Sequence, residues 1–230
     1  MSSSAWKSLY EACMTAAAPR PGYADLFGTP LITFQMPDHD QLNAAFRSRI
    51  LERQAQDPAG VQHSNVNGWH SDADMLDWGG APAQRLGQTL CDLCTNFTLD
   101  PGSPAKPRFG WHLRMWANVS GPGAANQTHA HPGAFWSAAY YVDDGGCADD
   151  PAKGGELCLV DPRYPMTAMA APDIFMRGAD GRPKQVEQLV RPKPGLIVIF
   201  PSWLQHAVRP YKGDALRISI ATNLTVVPKV

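Results

Sequence analysis

Two stretches of this chain repeat their apolar residues at helical spacing, and after Pro107 the pattern changes to short β-rich runs broken by Gly/Pro clusters. Between Asp38 and Arg53, the apolar residues Leu42, Phe46 and Ile50 recur at four-residue steps. That spacing puts them on one face of a helix, which stops before Asp57-Pro58. Between Ala81 and Phe97, residues Leu86, Leu90, Leu93, Cys94 and Phe97 form the apolar face of a second helix, ended by Asp100-Pro101-Gly102-Ser103-Pro104. Leu26 to Phe34 reads as a strand and Asn67 to Ser71 as a turn, while residues 1–22 read as irregular. Short β-rich runs then occupy 109–119, 134–143, 155–160, 186–191, 195–200, 204–209 and 215–224, with loops at the Gly/Pro-rich stretches 121–123 and 144–155. Strands at this spacing with no amphipathic helix between them predict an antiparallel sandwich or barrel. The expectation is a mainly β protein with N-terminal helices: a strand and supporting helices over 23–106, and a jelly-roll core over 107–226, in one domain.

Composition narrows the function classes. The chain has 230 residues, 44% of them hydrophobic, enough for one sizeable core. Twenty basic residues against 21 acidic ones give no electrostatic case for a nucleic-acid partner. No apolar run reaches the length of a membrane span. Met1 to Lys7 lacks the basic segment and apolar stretch of a signal peptide, so a cytoplasmic location is expected. The five cysteines, Cys13, Cys91, Cys94, Cys147 and Cys158, are odd in number and irregular in spacing, which suits free thiols. Cys91 and Cys94 have no second pair to complete a zinc site, and their spacing fits a buried helical stripe.

Chemistry concentrates in three places. In Gln127-Thr128-His129-Ala130-His131-Pro132 the two histidines are one residue apart, so in an extended segment they project to the same side. His206 follows Phe200-Pro201-Ser202-Trp203-Leu204-Gln205 at a strand edge and is a candidate third imidazole. Three ligands on one face of an octahedron leave positions open for a chelating cosubstrate and dioxygen. The competing reading is a pair of hydrogen-bonded or surface histidines. Arg217 and Ser219 share one face of a strand. A guanidinium fork matches a carboxylate bidentately, and the serine hydroxyl adds a donor. An outward arginine in a surface ion pair is the alternative there.

On these residues the chain resembles the Fe(II)- and 2-oxoglutarate-dependent oxygenases, and more narrowly a small bacterial and phage family of 2-oxoglutarate–iron oxygenases. The resemblance rests on His129-Ala130-His131-Pro132, Ser137-Ala138-Ala139-Tyr140-Tyr141-Val142, Phe200 to His206 and Arg217-Ile218-Ser219-Ile220-Ala221-Thr222-Asn223. Gly154-Gly155-Glu156-Leu157, Asp161-Pro162-Arg163, Pro194-Gly195, Leu26-Phe27-Gly28-Thr29-Pro30 and Gly68-Trp69-His70-Ser71 extend it over about residues 25–224. It implies a double-stranded β-helix, that is, a cupin-like jelly-roll barrel. It also implies Fe(II), and 2-oxoglutarate as electron donor, with succinate and CO2 released as a substrate C–H bond is oxidised by O2. By the same resemblance His129 and His206 are iron ligands, and His131 stands where most members of the superfamily place a carboxylate. Arg217 and Ser219 match the residues that hold the distal carboxylate of 2-oxoglutarate, and Asn126 matches a polar position that contacts the cosubstrate. Asn118 and Trp116, on a strand face with Arg114, are candidate pocket residues, and Arg163 is a candidate for an acidic group of the substrate. The expected activity is hydroxylation of a small-molecule or peptide-like substrate. Halogenation is disfavoured, because a histidine in the carboxylate's place frees no coordination position. The competitors are a three-histidine cupin-type dioxygenase that needs no 2-oxoglutarate, and a non-catalytic barrel that binds a metal or a small acid.

Overall fold

The architecture of the chain, seen in a computed structural model that describes residues 26–165, 171 and 173–229, is set by one long, bent strand. The elements run β1 (Ile32–Gln35), α1 (His39–Gln56), β2 (Asn65–His70), α2 (Met75–Trp78), α3 (Gly80–Asn96), β3 (Phe109–His129), β4 (Trp136–Asp144), β5 (Leu157–Val160), β6 (Glu187–Val190), β7 (Leu196–Pro201), β8 (His206–Val208) and β9 (Arg217–Pro228). The strands form one sheet in the order β1-β7-β4-β9-β3-β8-β5-β6, with β2 also paired to β3, and every strand pair is antiparallel. The N-terminal half of β3 pairs with β9 from Phe109 to Ser120, and its C-terminal end pairs with β8 at Asn126 and His129. The strand changes partners across Gly121-Pro122-Gly123, so the sheet curls over into a mostly β jelly roll. The expected loop at 121–123 is thus a bend inside a continuing strand. Glycine supplies the backbone freedom for this: Gly123 has φ +80°, and its N–H donates to the Tyr211 carbonyl.

Two compact units are distinguished: Met1–Gly28 with Met176–Lys184, and Thr29–Phe175 with Gln185–Val230. In the first, residues 176–184 form a tight turn in which the Gly178 N–H donates to the Arg182 carbonyl and the Lys184 N–H to the Met176 carbonyl. His129, His131, His206, Arg217 and Ser219 all belong to the second.

Helix α1 begins after Asp38, whose left-handed φ of 53° keeps it outside the helix. It buries Leu42, Phe46 and Ile50 as their spacing predicts. Helix α3 buries Leu86, Leu90 and Cys94, but Phe97 falls beyond its end and is 58% exposed. These helices cover the outer face of the sheet, where Met115, Ala117 and Val119 of β3 meet Ile218, Ile220 and Leu224 of β9 and Ile197 and Ile199 of β7. Polar ties fix the layer: the Tyr140 hydroxyl donates to Asn43 Oδ1, and the indole N–H groups of Trp111 and Trp136 donate to Thr95 and Thr98. A second cluster, Tyr141, Leu157, Leu159, Val198, Phe200 and Leu204, lies within the curl.

The structure departs from the sequence expectations at three further places. The strand expected over Leu26–Phe34 is confined to Ile32–Gln35, because Pro30 has no N–H to give to a ladder. The turn expected at Asn67–Ser71 lies in strand β2 as far as His70; Asn67 at φ 53° and a register shift between Val66 and Gly68 make it a bulged strand. The loop expected from residue 144 begins one residue later, since Asp144 closes strand β4. Asp144 is buried and accepts the N–H groups of Gly146 and Ala148. Among the described cysteines, Cys91, Cys94, Cys147 and Cys158 are free thiols. Residues 1–22 and Cys13 lie outside the described residues. No helix among the described residues is long and apolar enough to cross a membrane.

Candidate metal centre and cosubstrate pocket

His129 and His206 are cross-strand partners of β3 and β8, and His131 follows two residues after the first. The His131 N–H donates to the Ser202 carbonyl at 2.9 Å, which holds the segment after β3 against the turn that precedes β8. The three imidazoles converge. Their ring centroids are 4.3 Å (129 to 206), 4.9 Å (129 to 131) and 5.0 Å (131 to 206) apart, and one ring nitrogen from each lies within 4.8 Å of the others. In two of them the tautomer is fixed. His129 Nδ1 faces the Gln127 carbonyl at 2.7 Å, and His206 Nδ1 faces the Leu204 carbonyl at 2.9 Å. A proton held on Nδ1 leaves a lone pair on Nε2, the form a metal takes. His129 Nε2 has Ser64 Oγ at 3.4 Å, and Asn126 Nδ2 donates to that same hydroxyl at 3.2 Å. Burial lowers the pKa of each histidine, to about 4 for His206 and about 3 for His131, whose fall is deepened by the neighbouring imidazoles of His206, His129 and His70. Phe200 packs on the His206 ring at 4.8 Å, and Trp116 on His131 at 5.7 Å.

These rings line a cavity of about 430 Å³. One wall is built by alternation. Arg217, Ser219, Ala221 and Asn223 of β9 face the cavity, while Ile218, Ile220 and Leu224 face the helices. Arg217 is 2% exposed, and its Nε has no hydrogen-bond partner. Its guanidinium carbon is 5.4 Å from the centre of the Tyr141 ring. Burial raises the pKa of the Tyr141 phenol, against the pull of the Arg217 charge and hydrogen bond. Gly155 (φ +77°) lets the backbone pass close by: a Cβ there would lie 3.2 Å from Arg217 Cδ and Nε.

Residues 114–223 match the family described as "Putative 2OG-Fe(II) oxygenase". This segment, which carries the three histidines and Arg217, is similar to the 2OG-Fe(II) oxygenases. No curated protein matches the chain. Solved structures share the fold of the chain at low identity. A prolyl-4-hydroxylase from Pseudomonas putida is 20% identical with a TM-score of 0.54, over 87% of this chain and 95% of that one. A prolyl hydroxylase from Trichoplax adhaerens, solved with a hypoxia inducible factor oxygen degradation domain peptide, is 13% identical with a TM-score of 0.58, over 85% and 83%. HygX from Streptomyces hygroscopicus, solved with nickel and 2-oxoglutarate, is 12% identical with a TM-score of 0.55, over 86% and 83%. The fold is therefore the double-stranded β-helix.

The cofactors of such an oxygenase are Fe(II) and 2-oxoglutarate, and the residues present suit both. Three neutral imidazoles with clustered nitrogens are a donor set for a divalent metal. A buried guanidinium with an orphaned N–H calls for an anion, because a buried unpaired cation is otherwise costly.

The cavity brings together most of the residues singled out from the sequence: His129, His131, His206, Asn126, Arg217, Ser219, Asn118 and Trp116 all line it. Arg163 does not line it; its guanidinium is held by Asp161 at 2.7 and 2.9 Å. Of the rest of the chain, 60–80 contributes Val61, His63, Ser64 and His70 to Ala73, and 120–128 contributes Asn126. Among the described residues, 144–180 adds only Leu157. Sequence reasoning missed Tyr141, Ser137, Asn223 and His70 as cavity residues. The two-residue alternation of 136–144 and 217–223 was the available signal for the first three. His70 is stacked on Trp116 at 5.4 Å with its Nδ1 at the Ser71 carbonyl, and its strand reads as a turn in the sequence.

Proposed function

We propose that this protein is a cytoplasmic hydroxylase that couples 2-oxoglutarate consumption to oxidation of a small-molecule or peptide-like substrate, its N-terminal elements and jelly-roll core working as a single domain. The observation that carries this reading is the buried Arg217, its Nε without a hydrogen-bond partner, at one end of a cavity that also holds three converged imidazoles. When bound, Fe(II) and 2-oxoglutarate supply the oxidation: one oxygen atom of O2 enters succinate as CO2 leaves, and the other enters the substrate. His129 and His206 hold the metal through Nε2 while the Gln127 and Leu204 carbonyls orient their rings. His131 completes the set, braced by Trp116. Arg217 grips the distal carboxylate, Ser219 and Tyr141 add hydroxyl donors, and burial of this end excludes competing water. Asn126 acts through the Ser64 hydroxyl beside His129.

His131 favours one rival, a three-histidine dioxygenase that works without 2-oxoglutarate; the superfamily's more usual ligand set has a carboxylate at this position. The test is succinate release and oxygen uptake by the Fe(II)-loaded protein with and without 2-oxoglutarate, across a metabolite screen. The proposal expects slow succinate release alone and a marked rise with the right substrate. Full oxygen uptake with substrate but no 2-oxoglutarate supports the rival instead. Bound Fe(II) with no oxygen consumed under any condition leaves a binding barrel.

A further inference from the structure

The register of β3, β9 and β4 sorts the cavity wall into rows. Asn118, Ser219 and Tyr141 are aligned in one row, Trp116, Ala221 and Ala139 in the next, and Arg114, Asn223 and Ser137 in the last. From Arg217 to Asn223 along β9 is about 20 Å at strand rise. Trp116 touches His131, so the histidines stand against the middle of the wall. Arg217 and Tyr141 lie to one side of them, and Arg114 and Asn223 to the other.

That far row presents donors. The Ser137 hydroxyl donates to Asn223 Oδ1 at 2.9 Å, so the amide group left for a ligand is its NH2. Arg114 lines the cavity, and among the described residues it takes part in no ion pair or side-chain hydrogen bond. Some exposed arginines elsewhere, Arg108, Arg163 and Arg209, sit on a carboxylate, of Asp100, Asp161 and Glu187, whereas among the described residues Arg49 and Arg191 pair with none and line no part of this cavity. The acidic group that also lines the cavity, Asp72, has Arg53 at 3.8 Å. We infer that the prime substrate is a small organic acid whose carboxylate, or equivalent oxyanion, is held by Arg114 and Asn223 at the end of the cavity away from Arg217. The inference rests on the 2-oxoglutarate reading, which fills the Arg217 end with the cosubstrate. The volume of about 430 Å³, part of it taken by that cosubstrate, sets the size limit.

The experiment is an anaerobic titration of the Fe(II)–2-oxoglutarate complex. The probes are a panel of free amino and hydroxy acids and, in parallel, their amides and methyl esters. The readouts are the visible charge-transfer band and succinate release on admitting oxygen. The inference expects at least one acid to perturb the band and stimulate succinate release while its amide and ester do not. In Arg114→Gln the concentration needed for half effect should rise about ten-fold or more, with partial recovery in Arg114→Lys. A panel in which no acid acts, neutral analogues that act as well as their acids, or an unchanged requirement in Arg114→Gln overturns it. If no band forms with Fe(II) and 2-oxoglutarate before any probe is added, the fault lies in the parent reading instead.

Discussion

Neighbouring residues of β9 face two interiors built on opposite principles. Ile218, Ile220 and Leu224 point to the helix layer, fully buried among Met115, Ala117, Ile197 and Ile199. Arg217, Ser219 and Asn223 point the other way, into a polar cavity where a guanidinium is buried with an orphaned N–H. The outer face follows the packing rules and holds the fold. The inner face breaks them, and a buried cation with an orphaned N–H and no anion beside it marks the place of a ligand. Substitutions on the two faces should therefore have opposite signatures.

The largest effect is expected at the metal. His129→Ala or His206→Ala should abolish stoichiometric Fe(II) binding, measured by equilibrium dialysis, with an unchanged circular dichroism spectrum; full iron affinity in His131→Ala would remove that residue from the ligand set. On the outer face, Ile220→Ala should cost about 2–5 kcal/mol in urea unfolding, while the folded protein keeps its 2-oxoglutarate requirement. On the inner face, Arg217→Ala should raise that requirement about 30-fold or more, and Arg217→Lys should recover part of it because lysine lacks the fork. Arg217→Met should do the same to 2-oxoglutarate yet leave the metal-free protein as stable or more so, since a buried unpaired charge is replaced by packing. Tyr141→Phe should be milder, about three- to ten-fold in the 2-oxoglutarate requirement, the share of one hydroxyl donor.

The smallest effect is on acid stability. Burial lowers the pKa of His70 below its usual 6.5. From about pH 6.5 downward the unfolded chain then binds a proton that the folded one refuses, so stability is lost as pH falls through this window. Replacing His70 with Gln should flatten the fall in the urea midpoint between about pH 7 and pH 5.

The contrast between the two faces explains what the sequence allowed. The alternation in 217–224 is local, so the inward set Arg217 and Ser219 and the outward isoleucines were legible from one strand. His129 and His131 were legible for the same reason, and His206 through the turn that carries it. The far row of Arg114, Asn223 and Ser137 was not, because it exists only through the register of three strands far apart in the chain. Strand β2 was hidden by Asn67-Gly68, which reads as a turn until pairing with β3 turns it into a bulge. The bend at 121–123 misled in the same way: glycine and proline there redirect a strand instead of ending it. Arg163 was chosen by residue type alone, and the adjacent Asp161 holds it.

On the proposed reading, the three imidazoles and Arg217 form one site for metal and cosubstrate. The most direct test is an anaerobic titration of the purified protein with Fe(II) and then 2-oxoglutarate, followed through the visible charge-transfer band. A band that saturates at one 2-oxoglutarate per iron, is absent in His206→Ala, and needs about 30-fold more 2-oxoglutarate in Arg217→Ala is the predicted result. A band of unchanged strength and affinity in either variant, or none in the native protein with iron bound, would contradict it.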